Sequence, residues 1–571
     1  MNCLRRRSFV IKYLIIFALI CLFVLINTQR FKFPFIGIED ANIFFVYAMN
    51  IAGGHGFVYN IGGERVEGFT SLLWVLICAF AFKISAYPEL LLLLISGILV
   101  SLGLAVALTY IESALFFRSG AFKFLNSPVI FLALLFSMPA YVIWIVITLM
   151  DTAIWSTLLL MTTVVVVQAH SISMKKTNII FSGLLILLLI TRPEALLWDA
   201  VFILGLFAVR LSNHRWVGAL KSVWLPIASY VVTIGGLTLF RLKYFGYPLP
   251  NTFYAKVSPS IFYDLAQGSL YLAGYIISNP IIAICILAVL FTAVDSILGI
   301  YRKKKIEDGR MLLPFFAVTG LVIPVFWGGD HFGSYRFYQM IYPILLLCLL
   351  YGIKHVFPRY IPQGWQAKFT IRQGRIALCL VVLMAFIAQA FHWIYFERGS
   401  ELGFAHQFSL AEAGRRDGDF MMRLFSRLPR YPRIGYITAG GHKYSYQGEI
   451  IDLLGLNNTR MAHNRGKRLG RKGHAAFEKA TFYELKPDVV CPHLVRRATW
   501  QYNEKQLRES RTNMYLKNIY GDKEYQKQYV FVKIENQKMD DSRAIVGWFS
   551  KEFLSYLAGT KSFQIEMYEY H

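Results

Sequence analysis

Apolar residues along this chain come in runs of about 17–25 positions with almost no charge, the length that crosses ~30 Å of hydrocarbon. The runs stop near residue 396. The pattern predicts about eleven transmembrane helices, at 9–28, 88–116, 127–147, 151–170, 177–192, 194–212, 221–241, 279–300, 310–328, 337–355 and 375–396. A shorter apolar segment, 69–84, is read as a helix lying at the outer interface with Trp74 at headgroup depth, because counting it as a span would turn basic loops outward. Segment 40–52 predicts a second interfacial helix. Beyond 396 the stretches 433–438, 450–454, 488–491 and 529–534 read as strands alternating with helical segments, the signature of an α/β domain. The expected architecture is a multi-pass α-helical membrane domain, 1–396, followed by an extracytoplasmic α/β domain, 397–571.

Composition agrees with the pattern: 56% of the 571 residues are hydrophobic, above the roughly 45–50% of an average soluble protein. The net charge of +25 changes the picture only through its placement. Lys and Arg collect in short loops, at Arg5-Arg6-Arg7, at Arg118 and Lys123, at Lys175-Lys176, and within 210–221, 302–305 and 354–375. Short basic loops mark the cytoplasmic side, so the charge points to membrane lipids as partners and not to nucleic acid. Seven cysteines, of which only Cys491 lies in the polar part, give neither a disulfide framework nor a zinc site. Residues 1–27 look like a secretory signal, but no small-x-small cleavage site follows, so they are read as an uncleaved first span with its N-terminus inside. An odd number of spans then places the C-terminal domain outside, together with loops 29–87, 148–151, 192–194, 242–278 and 329–336.

These outer loops hold the candidate chemistry. The membrane part has fourteen Asp and Glu, and eight of them fall there: Glu39, Asp40, Glu64, Glu67, Asp151, Glu194, Asp264 and Asp330. Carboxylates at a membrane boundary are costly unless hydrated, paired or used; five loops placing acids at one depth suggest a shared polar cleft, and hydrated loop ends are the plainer alternative. Glu39-Asp40 opens an amphipathic helix. An acid there can satisfy free N–H groups or serve as a general base. In the polar part, Ala439-Gly440-Gly441-His442 reads as a turn into a helix. It lacks a nucleotide-binding fingerprint. The run 460–472 holds six basic residues, placed either to lean on anionic headgroups or simply to be solvated.

The first loop carries a resemblance. Glu39-Asp40-Ala41, then Gly54-His55-Gly56-Phe57-Val58-Tyr59-Asn60, then Glu64-Arg65-Val66-Glu67-Gly68 resemble the first-loop signature of bacterial polyprenyl-phosphate-dependent membrane glycosyltransferases of the C-type (GT-C) fold, nearest to the mycobacterial terminal β-1,2-arabinofuranosyltransferase family. Further stretches match in order: Thr148-Leu149-Met150-Asp151-Thr152, Arg192-Pro193-Glu194, Pro250-Asn251-Thr252 through Lys256, Gly328-Gly329-Asp330 through Arg336-Phe337, Ile451-Asp452-Leu453-Leu454-Gly455, and Lys486-Pro487-Asp488. Glu39 departs from the family's Asp, and Asp151 from its Glu.

The resemblance implies an inverting transferase in the bacterial plasma membrane. It would move a sugar, an arabinofuranose in the nearest relatives, from a polyprenyl-phosphate donor to a glycan, lipid-linked saccharide or protein on the outer face. It implies Asp40 as catalytic base with Glu39 as its partner, the two roles being interchangeable at this stage. It implies Lys256, Arg336, Arg192 and His55 around the donor phosphate, and Asp151, Glu194, Asp330, Asn251, Tyr254 and His331 around the substrates. No cofactor is demanded, no carboxylate cage for a metal is evident, and a divalent cation stays open. Plainer roles exist for several of these: Arg192 pairing with Glu194, Arg336 as an interface anchor, the histidines as structural groups. Two other functions compete, a transporter or flippase of lipid-linked saccharide and a non-catalytic envelope assembly protein. The lack of an internal repeat and the gathering of acids at one face favour the enzyme.

Overall fold

The computed structural model of the chain describes residues 2–117, 126–212, 214–256, 258, 260–303, 308–360, 380, 383, 387, 403–468, 473–497, 499–536 and 542–568. Six helices are long and apolar enough to cross a membrane: Arg6–Phe31, Pro88–Leu115, Met174–Thr191, Trp224–Tyr244, Pro280–Arg302 and Gly309–Phe326. Two bent pairs, Ser127–Phe136 with Ala140–Ile147 at 73° and Gly333–Gln339 with Tyr342–Arg359 at 61°, raise the number of candidate spans to eight. The first break contains Pro139, a residue without an amide hydrogen to continue the helix. In the second, the break falls at residues 340–341, and Ser334 and Tyr335, both at positive φ, 56° and 54°, lie inside the first helix of the pair. The helices expected at 151–170 and 194–212 are Thr152–Val167, 16 residues, and Ala195–Leu211, 17 residues, short of the usual crossing length of ~20. The chain is therefore mostly helical, of membrane-protein character, with six to eight candidate spans among the described residues where the sequence reading expected about eleven in all. The span at 375–396 lies outside the described residues, apart from 380, 383 and 387. So do the boundary at 396, the pair Arg118 and Lys123, and parts of the basic stretches 302–305, 354–375 and 460–472.

Segment 40–52 forms the helix Glu39–Ala52, and 69–84 contains the helix Leu72–Ile84. Trp74, expected to anchor this helix among headgroups, is packed inside the protein. It is fully buried, and its indole N–H donates to the Leu149 carbonyl at 3.2 Å. Loop 242–278 contains a helix the hydropathy pattern did not predict, Ile261–Ser278, started by the Ser260 hydroxyl accepting from the Tyr263 amide.

The polar part forms one six-stranded sheet: β1 (Ile434–Tyr436), β2 (Ile450–Asp452), β3 (Val489–Arg496), β4 (Tyr529–Asn536), β5 (Arg543–Ser550) and β6 (Phe563–Tyr568), in the order β2-β1-β3-β5-β4-β6. β1 runs parallel to β2 and β3; the remaining pairings are antiparallel. Strands β1 to β4 coincide with predicted segments. β5 and β6 do not: β5 is buried at six consecutive positions, so no alternation marks it.

The first loop is bonded along its length to this domain. The Arg415 guanidinium donates from Nε to Asn42 Oδ1 at 2.7 Å and from Nη1 to Glu89 Oε1 at 2.9 Å, and lies over the Tyr444 ring. Tyr47 donates to Asn457 Oδ1 at 3.1 Å, and Tyr59 donates to the Ala439 carbonyl. The Asn60 amide exchanges two 3.0 Å hydrogen bonds with the Ile450 backbone, and the Thr459 amide donates to Glu64 at 2.9 Å. Net hydrogen bonds contribute about 0.5–1.5 kcal/mol each. Their number, spread over residues 42–64, fixes the loop against the sheet and hence fixes the start of the Glu39–Ala52 helix.

Candidate functional site

Asp40 stands in the first turn of that helix, half-buried. Among the described residues no hydrogen bond or ion pair engages its carboxylate. It faces a cavity of about 450 Å³, within the size range of small-molecule sites. Arg192, Lys256 and Arg336 line the same cavity, as do Glu194, Asp330 and His331. Four of the outer loops thus contribute charged groups to one space.

The cations differ in what holds them. Arg192 is gripped from two sides: Nη1 donates to Asp151 Oδ1 and Oδ2 at 3.1 and 2.9 Å, while Nε and Nη2 donate to Glu194 at 3.2 and 2.9 Å. Arg336 binds Asp330 through Nε alone, at 2.7 Å, with its plane near the Phe332 and Phe337 rings. Its two Nη groups make no hydrogen bond among the described residues. Lys256 is exposed and forms no ion pair among them. Burial would push the Asp330 carboxyl up, but Arg336, the His331 ring and Lys256 outweigh it and hold the group well below the usual carboxylate range. Asp330 is therefore a fixed anion that orients Arg336 while the free donors of Arg336 and Lys256 face the cavity. The left-handed backbone at Ser334 and Tyr335 sets the turn from which Arg336 starts its helix; such strain gathers at sites that need one geometry.

Apolar side chains line the cavity as well: Ile43, Phe44 and Phe69 from the first loop, and Phe253, Phe326 and Trp327. Phe253, Phe326 and Trp327 are themselves 42%, 49% and 40% exposed, which leaves an oily rim beside the charged interior.

Five expected site residues have other positions. Glu39 is buried and points away from the charged cavity, its two oxygens accepting from the Gly440 amide at 2.7 Å and the Gly441 amide at 3.0 Å. These are the free N–H groups of the glycine turn in the polar part, so a carboxylate of the chain itself fills the place where an anion would sit. Gly440 is needed for this approach: a Cβ there would come within 2.1 Å of the Glu39 carbonyl. Asp151 is fully buried behind Arg192 and does not line the cavity. Asn251 is buried too, and its amide donates to the Gly455 and Leu456 carbonyls at 2.8 and 2.9 Å, tying the loop to the sheet domain. Tyr254 packs on His463 with ring centroids 4.1 Å apart, and Tyr247 packs on the same imidazole at 4.0 Å. His55 is exposed on the Gly53–Gly56 turn, away from the cavity lining.

The sequence reading assigned no role to Ser258 and Asp264, which line the cavity and hydrogen-bond each other, or to Asp417. Asp417 lies on the buried stripe Ala411, Gly414, Asp417, Gly418, Met421 of the helix Phe404–Leu424. An acid inside an apolar stripe at helical spacing was the signal available in the sequence. Among the described residues no group of three or more His, Cys, Asp or Glu side chains is placed to hold a metal ion.

No protein-family model matches the chain, and no curated protein matches it.

Proposed function

We propose that the protein is an integral membrane glycosyltransferase of the GT-C type, with about eleven crossings, a cytoplasmic N-terminus and its sheet domain outside the membrane, which transfers a sugar from a polyprenyl-phosphate carrier. One observation carries the reading. Asp40, Lys256 Nζ and the Nη groups of Arg336, none of them hydrogen-bonded among the described residues, line one cavity together with an oily rim of the part-exposed Phe253, Phe326 and Trp327. The rim suits a prenyl tail, the cations suit its phosphate, and the carboxylate suits an incoming hydroxyl.

In the proposed step the acceptor oxygen attacks the anomeric carbon and the bond from that carbon to the phosphate oxygen breaks. Asp40 takes the hydroxyl proton. The electron pair leaves with the prenyl phosphate, whose added charge Lys256 and Arg336 stabilise. Arg192, saturated by Asp151 and Glu194, shapes the wall. The motif order along the chain supports the same reading by resemblance, and arabinofuranose is the sugar it favours. The test is to incubate the purified full-length protein with a panel of polyprenyl-phosphate sugars and an envelope glycan acceptor. Release of prenyl phosphate together with a glycosylated product supports the reading; a protein that moves intact lipid-linked saccharide across a bilayer, with no bond cleaved, is a flippase instead.

A further inference from the structure

A second cavity, also about 450 Å³, adjoins the first and shares Asp40, Lys256 and His331 with it. It lies at the carboxyl ends of β1 and β2 and beside residues 491–493 of β3. The chain leaves β1 for β2 on one side and returns to β3 on the other, which makes this end a topological switch point, where open α/β sheets bind ligands. Thr438 and Ala439 after β1, Leu454 after β2 and the Cys491–Pro492–His493 break in β3 all line it. At that break the β3–β5 register shifts, and Cys491 has a φ of 44°. Irregularities of this kind are over-represented beside functional sites.

Two neighbouring groups in this cavity, Asp417 and His442, offer acceptors. Asp417, only 6% exposed, has an Oδ1 with no hydrogen-bond partner, an omission that is expensive in a buried carboxyl unless a ligand or water meets it. Its Oδ2 lies 3.9 Å from His442 Nε2. His442 Nδ1 is 3.1 Å from the Thr438 carbonyl, which can only accept, so Nδ1 carries the proton and neutral His442 presents Nε2 as an acceptor. The Tyr436 ring, stacked at 3.9 Å, holds the imidazole in place. Burial keeps His442 neutral at physiological pH by pushing it down to about 4. Two adjacent acceptors call for a ligand with two adjacent donors.

Charge narrows the ligand. Lys256 and Arg511 are the Lys and Arg residues of this lining, against Glu39, Asp40, Asp417 and Asp452. Glu39 is held by the Gly440 and Gly441 amides. Asp452 accepts from the Leu454 and Asn457 amides and the Asn457 side chain. The two remaining acids oppose an anionic ligand, and Lys256 opposes a cationic one. The rings of His474 and Tyr515, parallel with centroids 5.0 Å apart, add a flat wall of the kind that packs against C–H faces.

We infer that this second cavity binds the uncharged end of an oligosaccharide, with a vicinal diol donating to the Asp417 carboxylate and to His442 Nε2. The inference rests on the proposed transferase reading for its consequence. Because Asp40 borders both cavities, a sugar held here presents a neighbouring hydroxyl to the base, so the acceptor is a neutral glycan and not a phosphorylated or peptide one.

The test is calorimetric titration of the full-length protein in lipid nanodiscs with uncharged arabino-, gluco-, manno- and galacto-tetrasaccharides, beside a tetrauronate and a lysine-containing peptide. At least one neutral tetrasaccharide should bind, and Asp417→Asn and His442→Gln should each weaken it about tenfold. Binding of prenyl phosphate should stay unchanged in both variants, which also shows that they are folded. The inference is overturned if no neutral tetrasaccharide binds, if both variants bind it like the parent, or if the uronate or peptide binds in its place. Diol binding that depends on Asp417, in a protein that transfers no sugar, would sink the transferase reading and leave this site standing. Transfer to a neutral glycan with an acceptor KM indifferent to both variants would do the reverse.

Discussion

Glu39 and Gly440, 401 positions apart in the chain, are joined by a 2.7 Å hydrogen bond from the glycine amide to the carboxylate. Glu39 thereby clamps the helix Glu39–Ala52 to the sheet domain, and its neighbour Asp40, with no hydrogen bond or ion pair among the described residues, stands at the border of both cavities. Burial, opposed by the Gly441 and Gly440 amides, lifts the Glu39 carboxyl from an ordinary 4.5 to about 7. Between those values the folded protein holds more protons than the unfolded chain, so stability falls as pH rises through that window and levels off above it. Asp417, raised by burial to about 6, adds a slope of the same sign that ends earlier. Thermal unfolding of Glu39→Gln should therefore lose the pH dependence between about 6 and 7 that the parent shows. An unchanged slope in that interval would mean the clamp is not the titrating group.

Gly440→Ala tests the same contact sterically. The added methyl would meet backbone, the Glu39 carbonyl at 2.1 Å, which cannot yield as a flexible side chain would. Undocking should lower thermal stability by about 1–3 kcal/mol, the usual range for overpacking, and should reduce transfer with it. Activity and melting temperature equal to the parent's would show that the domains do not need this approach.

How much of this was legible beforehand follows from the kind of signal each residue carries. Long apolar helices such as Pro88–Leu115 announce themselves by hydropathy alone. The helix Ile261–Ser278 was read as loop because its apolar residues are interrupted by Asp264, Gln267 and Ser269. Asp40, Lys256, Arg192 and Arg336 were nameable because loop position and motif order single them out. The side that each faces was not, since adjacent residues on a helix point apart: Glu39 and Asp40 are equivalent in sequence and opposite in role. Asn251 and Tyr254 sit in the same motif as Lys256, yet they serve the contact with the sheet domain, a long-range pairing that no local pattern encodes. The second cavity was invisible for the same reason, being formed by β1, β2, β3 and a helix far apart in the chain.

Lys256 has no ion-pair partner among the described residues, so its removal should leave the fold alone. Lys256→Gln should change stability by less than about 0.5 kcal/mol while raising the donor KM about tenfold, the loss of one charge-assisted contact to phosphate. A donor KM equal to the parent's would remove Lys256 from the phosphate site.

Arg192 behaves oppositely. Asp151 is fully buried and relies on Arg192 at 2.9 Å; without the guanidinium an uncompensated acid remains inside. Arg192→Leu should destabilise the protein by about 3–5 kcal/mol, and Asp151→Leu added to it should recover part of that loss. Detergent-solubilised thermal melts decide this. A single variant as stable as the parent would show that the pair does not support the wall of the site.

The most direct test of the account is Asp40→Asn, with sugar transfer from polyprenyl-phosphate donors and donor binding measured on the same preparation. General-base catalysis contributes about 10²–10⁴-fold, so turnover should fall by at least about 10² while donor affinity and melting temperature stay within error of the parent. Transfer at the parental rate by Asp40→Asn, or no transfer by the parent from any lipid-phosphate sugar, would contradict it.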